Sequence, residues 1–127
     1  MNVFGVTRSR MASNYALITP DTHVNSSLLG WENTTAVIHI SPEMGARFTQ
    51  YTASMEADAT SGLPGTATQR FIYLQEGACS LRLTVSSGKE KHDLKAGSYA
   101  YIPAGVGHKI SVKKSAKLIV FEKKYLP

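Results

Sequence analysis

A chain of 127 residues that is 43% hydrophobic and 18% charged has the composition of one ordinary globular domain with enough apolar residues for a core. Its one cysteine, Cys79, excludes an internal disulfide and a cysteine-based zinc cluster, and no run approaches the roughly 20 consecutive apolar residues of a membrane-spanning helix. Fourteen Lys and Arg against nine Asp and Glu give a net charge of +5. Arg8 and Arg10 lie at one end, Lys113, Lys114, Lys117, Lys123 and Lys124 cluster at the other, and Lys89, Lys91 and Lys95 lie in one hairpin, a distribution of solvated edges and termini that argues against a nucleic-acid interface.

Helical periodicity is nearly absent. Residues 1–30 read as an N-terminal arm with one packed strand, over 15–18, and residues 31–127 as a single barrel. The first five residues, Met1 to Gly5, lack a basic segment followed by an apolar run, so no signal peptide is expected and the compartment is read as cytoplasmic. Short β-rich runs then recur at 35–40, 47–53, 71–74, 79–85, 98–102, 109–112 and 117–121, with breakers between them, Glu76-Gly77 among these. The turn Ser86-Ser87-Gly88 is expected to close a hairpin between 79–85 and a strand around His92 to Leu94. Within 79–85, alternation puts Cys79, Leu81, Leu83 and Val85 on one face, where Cys79 serves as a small core residue. Lys89, Lys91 and Lys95 fit a solvated edge strand. Eight such strands in one small domain must close on themselves to hide their edges, and the predicted fold is an all-β jelly-roll barrel with a cavity at its mouth.

One stretch is more specific. Gly97, five residues, Pro103-Ala104-Gly105, two residues and His108 form a strand opened by a glycine and ended by a tight Pro-x-Gly bend, which delivers the histidine to the barrel interior. This pattern resembles the second motif of the cupin family. In the first cupin motif a glutamate lies seven residues before a closing glycine. Gly77 fits the glycine, but Arg70 then stands at the glutamate, and the two upstream histidine positions fall within Leu63-Pro64-Gly65-Thr66. The second motif's terminal asparagine is replaced by Val112. One imidazole beside a permanent guanidinium supplies neither the number of donors nor the charge that a transition metal needs, so no metal or other cofactor is expected in this chain. His23, His39 and His92 show no ligand spacing.

The whole chain also resembles the N-terminal half of the (S)-ureidoglycine aminohydrolase family, two-cupin proteins of ureide breakdown, and most closely its plant-type members. The resemblance rests on Thr7 to Arg10, Asn14 to Asp21, Gly30 to Asn33, Ile40 to Pro42, Ser61 to Pro64, Arg70 to Gly77, Gly97 to Pro103 and Phe121 to Tyr125. It implies a family that releases ammonia from ureidoglycine with a manganese ion held in the C-terminal cupin, and a chain here that is inactive alone. Plant members of the family enter the endoplasmic reticulum. The implied partners are a C-terminal cupin and, for the half by itself, a second copy in a homodimer or larger assembly. No nucleic acid or membrane partner is expected. The alternative is a free-standing barrel that binds a small carboxylate or ureide. In that case Arg70 would clamp the anion, and His108 with one or more of Tyr73, Tyr99 and Tyr101 would complete a polar pocket; Tyr99 and Tyr101 share a strand face, inner or outer. The competing expectation is that Arg70 pairs with a local acid, Glu76 or Glu56.

Overall fold

The computed structural model describes residues 10–11, 16–17, 25–65, 67–85 and 88–125, and within them the regular structure is almost all strand. β1 (Arg10–Met11) and β2 (Ala16–Leu17) pair as a separate antiparallel ribbon. The flanking residues of the strand expected over 15–18 lie outside the described residues. β3 (Asn25–Ser27), which sequence pattern did not mark, lays the end of the arm against β4 (Glu32–Ile40). A 3-10 turn at Pro42–Met44 leads into β5 (Thr49–Thr60). There follow β6 (Thr68–Val85), β7 (Gly88–Lys95), β8 (Tyr99–Ile102), β9 (His108–Ser111) and β10 (Ala116–Lys124).

All described pairings are antiparallel, and four strands close a ring. β10 pairs with both β5 and β6, β6 pairs with β9, and β9 returns to β5 through Thr60 opposite Ser111. Two further backbone bonds secure this last junction: Ser61 donates to the Ile110 carbonyl at 2.9 Å and Val112 to the Ala59 carbonyl at 3.0 Å. The predicted closed all-β barrel is therefore the observed one. β7 meets only β6 among the described strands, so Lys89, Lys91 and Lys95 lie on an edge, where lysines discourage pairing with another chain.

The expected strands at 71–74 and 79–85 are one strand, β6, with a bend. Its first half pairs with β8 and β10 and its second half with β7 and β9. Where it changes partners, Gly77 has φ of 83° and the register of β10 slips between Lys117 and Leu118. A Cβ at Gly77 would press into the Ser115 carbonyl. The glycine thus makes a bulge that redirects the strand without ending it. Val85 pairs with Gly88, as expected of a tight hairpin, and the two residues between them lie outside the described set.

Period-two alternation fills the barrel. Tyr51, Ala53 and Met55 on β5, Ile72 and Leu74 on β6, and Leu118 and Val120 on β10 are buried together with Ile102 and Ile110. Cys79 and Leu81 are buried in the same cluster and Leu83 packs against it. Burial raises the Cys79 thiol to about 11, so it remains a protonated core residue at neutral pH.

Candidate functional site

The inward phase of β6 and β10 does not stop at the last aliphatic residue. Continuing from Leu74 and Ile72, the next inward position on β6 is Arg70. Continuing from Leu118 and Val120, the next on β10 is Glu122. These two are direct cross-strand partners. Arg70 is 1% exposed, so its charge must be met by the protein. Its Nε and Nη2 donate to Glu122 Oε2 at 3.0 and 2.8 Å, and its Nη1 donates to the Gly62 carbonyl at 2.9 Å. The indole of Trp31 lies over the guanidinium, with its centroid 5.4 Å from Cζ, and meets the Tyr51 ring edge-on. Gly62 fits only without a side chain, because a Cβ would lie 2.7 Å from the Leu29 carbonyl oxygen and 3.0 Å from the Trp31 ring.

His108 is delivered to this spot as the Pro-x-Gly bend predicts. Gly105 has φ of 86°, Val106 donates back to the Pro103 carbonyl at 3.3 Å, and the histidine at the start of β9 is 8% exposed. Its Nδ1 lies 3.1 Å from the Val106 carbonyl and its Nε2 lies 2.9 Å from Arg70 Nη1. A carbonyl can only accept and a guanidinium can only donate, so the ring is neutral, with its proton on Nδ1 and its Nε2 lone pair facing Arg70. Burial, reinforced by the nearby positive charge of Arg70, holds the His108 pKa below its ordinary value against the opposing pull of the Val106 carbonyl. Tyr51 donates its hydroxyl to the same Glu122 oxygen at 2.5 Å. Burial pushes this phenol well above its usual range; the Arg70 charge opposes that shift and the Glu122 carboxylate adds to it.

The cluster is closed chemically. Every buried side-chain nitrogen and oxygen among the described residues has a partner. A cation at His108 would need the lone pair that Arg70 holds and the space that the guanidinium fills. Manganese, the metal that the sequence resemblance places in the companion cupin, does not fit these residues. No group of three or more His, Cys, Asp or Glu among the described residues is arranged to hold a metal.

Two expectations are corrected here. Arg70 pairs with Glu122 rather than Glu76 or Glu56, because a buried strand residue sees its cross-strand neighbour and both of those glutamates are exposed. Tyr73, Tyr99 and Tyr101 do not join Arg70 and His108 in an interior pocket. They occupy the opposite phase of β6 and β8 and are exposed on the outer face, Tyr99 to 70%. Tyr73 pairs with Tyr99 across the strands, the Phe71 ring packs tilted against those of Tyr99 and Phe121 with centroids 5.8 and 6.0 Å away, and the Tyr101 hydroxyl donates to Gln69 at 2.7 Å. Outside the barrel, a shallow cleft of about 210 Å³ has Arg70 and Tyr101 in its wall, but the Arg70 donors described above are turned inward. Sequence reasoning also missed Tyr51, Trp31, Gly62 and Glu122. For Glu122 a signal existed in the alternation Leu118, Val120, Glu122, which the strand end expected at residue 121 cut off.

No family model matches the chain. It is 42% identical over 121 residues to an (S)-ureidoglycine aminohydrolase from Arabidopsis thaliana, a match that covers 95% of this chain and 40% of that protein. Among solved structures, it superposes on the E. coli protein Ylba with a TM-score of 0.82 at 25% identity, over 95% of this chain and 50% of the other. An oxalate decarboxylase from Bacillus subtilis shares the fold with a TM-score of 0.68 at 15% identity, over 82% of this chain and 28% of its own. The fold is the cupin barrel. The chain spans about 40% of the length of its curated plant relative and corresponds to one cupin half of such a protein.

Proposed function

We propose that this chain is the metal-free, non-catalytic N-terminal cupin of a ureidoglycine aminohydrolase-type protein, and that manganese and the chemistry belong to a companion cupin. One observation carries the reading. The single imidazole delivered to the barrel interior has its Nε2 lone pair hydrogen-bonded to Arg70. A guanidinium is never deprotonated in a protein, so this barrel carries its own fixed cation where a catalytic barrel would hold an exchangeable one.

In this reading the half acts through packing. The outer face of β8, β6 and β10, with Tyr73, Tyr99 and Tyr101 exposed, is the surface that a second barrel would cover. The relatives' greater length accords with a second domain. The alternative of a free-standing barrel that clamps a carboxylate on Arg70 is weaker, because that guanidinium already has an internal carboxylate. The test is ammonia release from (S)-ureidoglycine by the purified chain with manganese. The expected rate equals the uncatalysed one. Turnover that disappears in His108→Ala would contradict the proposal.

A further inference from the structure

A second feature lies away from the buried cluster. On the outer face of the second half of β6, Arg82 is directly opposite Lys91 of β7 on one side and Lys109 of β9 on the other. Partners in antiparallel register project to the same face, so three exposed cations stand abreast across three strands. Like charges directly opposite one another destabilise a sheet. None of the three has an ion pair with a described carboxylate.

Beside this row opens a cleft of about 820 Å³, within the range of small-molecule sites. Exposed Ala78 and half-buried Leu94 give it apolar lining above the buried Ala59, Cys79 and Val112, and Ser80 and Ser111, paired across β6 and β9, add hydroxyls. Arg82 and Lys91 reach it from the cationic row, and Lys113 and Lys114 from the turn before β10. Against these four cations stand two carboxylates, Asp58 and Asp93, and Asp93 already accepts from Ser80 at 3.0 Å.

We infer that this cleft binds a small organic polycarboxylate. The cations would take the carboxylates, the Ser111 hydroxyl would orient them, and the apolar residues would hold the carbon skeleton. That last contribution separates a polycarboxylate from inorganic phosphate, which has no skeleton to bury. Exposed cations act through a screened field, so binding weakens as salt rises.

The experiment is a titration of the ¹⁵N-labelled 127-residue chain with citrate, and in parallel with phosphate at matched ionic strength. The expected result is saturable shifts confined to residues 58–60, 77–82, 91–94 and 111–115, with citrate at least tenfold tighter than phosphate. The double variant Arg82→Gln/Lys113→Gln should weaken citrate at least tenfold without lowering the melting temperature, since both side chains are exposed and Arg82 faces two like charges. Non-saturating shifts, equal affinity for phosphate, or an unaffected double variant would each overturn the inference. Its outcome is independent of whether the barrel interior is catalytic.

Discussion

Arg70 and Glu122 face each other across β6 and β10 at the inward phase, and a single carboxylate oxygen, Oε2, accepts from Arg70 Nε, Arg70 Nη2 and Tyr51. A charge pair in a barrel interior is costly to desolvate, and this one is retained because the surrounding donors and acceptors match it. Gly62, His108 and Trp31 hold the guanidinium on its remaining sides. The pair therefore acts as a unit, and its members are not separable contributions.

That coupling predicts a non-additive cycle. Arg70→Met leaves Glu122 and Tyr51 facing a hydrophobic gap, and Glu122→Leu leaves a buried guanidinium without its carboxylate. Each single change should cost about 3–5 kcal/mol, as breaking one side of a buried pair does. The double variant should cost less than the sum by more than about 1 kcal/mol. Urea unfolding of the four proteins measures this. Additive losses would mean that the pair is not coupled.

The His108 tautomer sets a pH dependence. The folded pKa is held below the ordinary 6.5, so as pH falls below that value the unfolded chain takes up a proton that the folded chain refuses. Stability then drops with falling pH, from about 6.5 down to the folded pKa, below which this contribution is fully lost. His108→Gln keeps a polar side chain and removes the titration. It should flatten the stability profile over this window, read from thermal melts between pH 7.5 and about 5.

The outer tyrosines predict self-association. In the absence of a companion barrel, a face carrying exposed Tyr73, Tyr99 and Tyr101 is expected to pair with its copy in a second chain. Light scattering at micromolar concentration should give the mass of a dimer, and Tyr99→Glu should give that of a monomer with unchanged secondary structure. A wild-type monomer would contradict the assignment of this face.

Much of this architecture was legible in local pattern. The alternation of Cys79, Leu81 and Leu83, the tight hairpin before Gly88, and the glycine and proline spacing that ends at His108 each encode geometry through residues close in sequence. The arginine at residue 70 was legible as an anomaly through its distance from Gly77. Its partner was not, because Glu122 lies 52 residues away and only barrel closure brings it opposite. Nor was the outward placement of Tyr99 and Tyr101, since one strand's alternation leaves open which phase faces in. Arg70 and Tyr73, three residues apart on one strand, point to opposite faces, so for Tyr73 the parity was legible and the joint pocket overlooked it. The single strand through Gly77 was hidden because a bulge and a break use the same residue.

The central claim is that a guanidinium holds the Nε2 lone pair of His108. Long-range ¹⁵N correlation spectra of the imidazole read this directly, because a protonated and a lone-pair nitrogen resonate far apart. The account predicts a proton on Nδ1, a lone pair on Nε2, and His108 signals that manganese leaves unbroadened. A ring protonated on Nε2, or His108 signals selectively broadened by stoichiometric manganese, would contradict it.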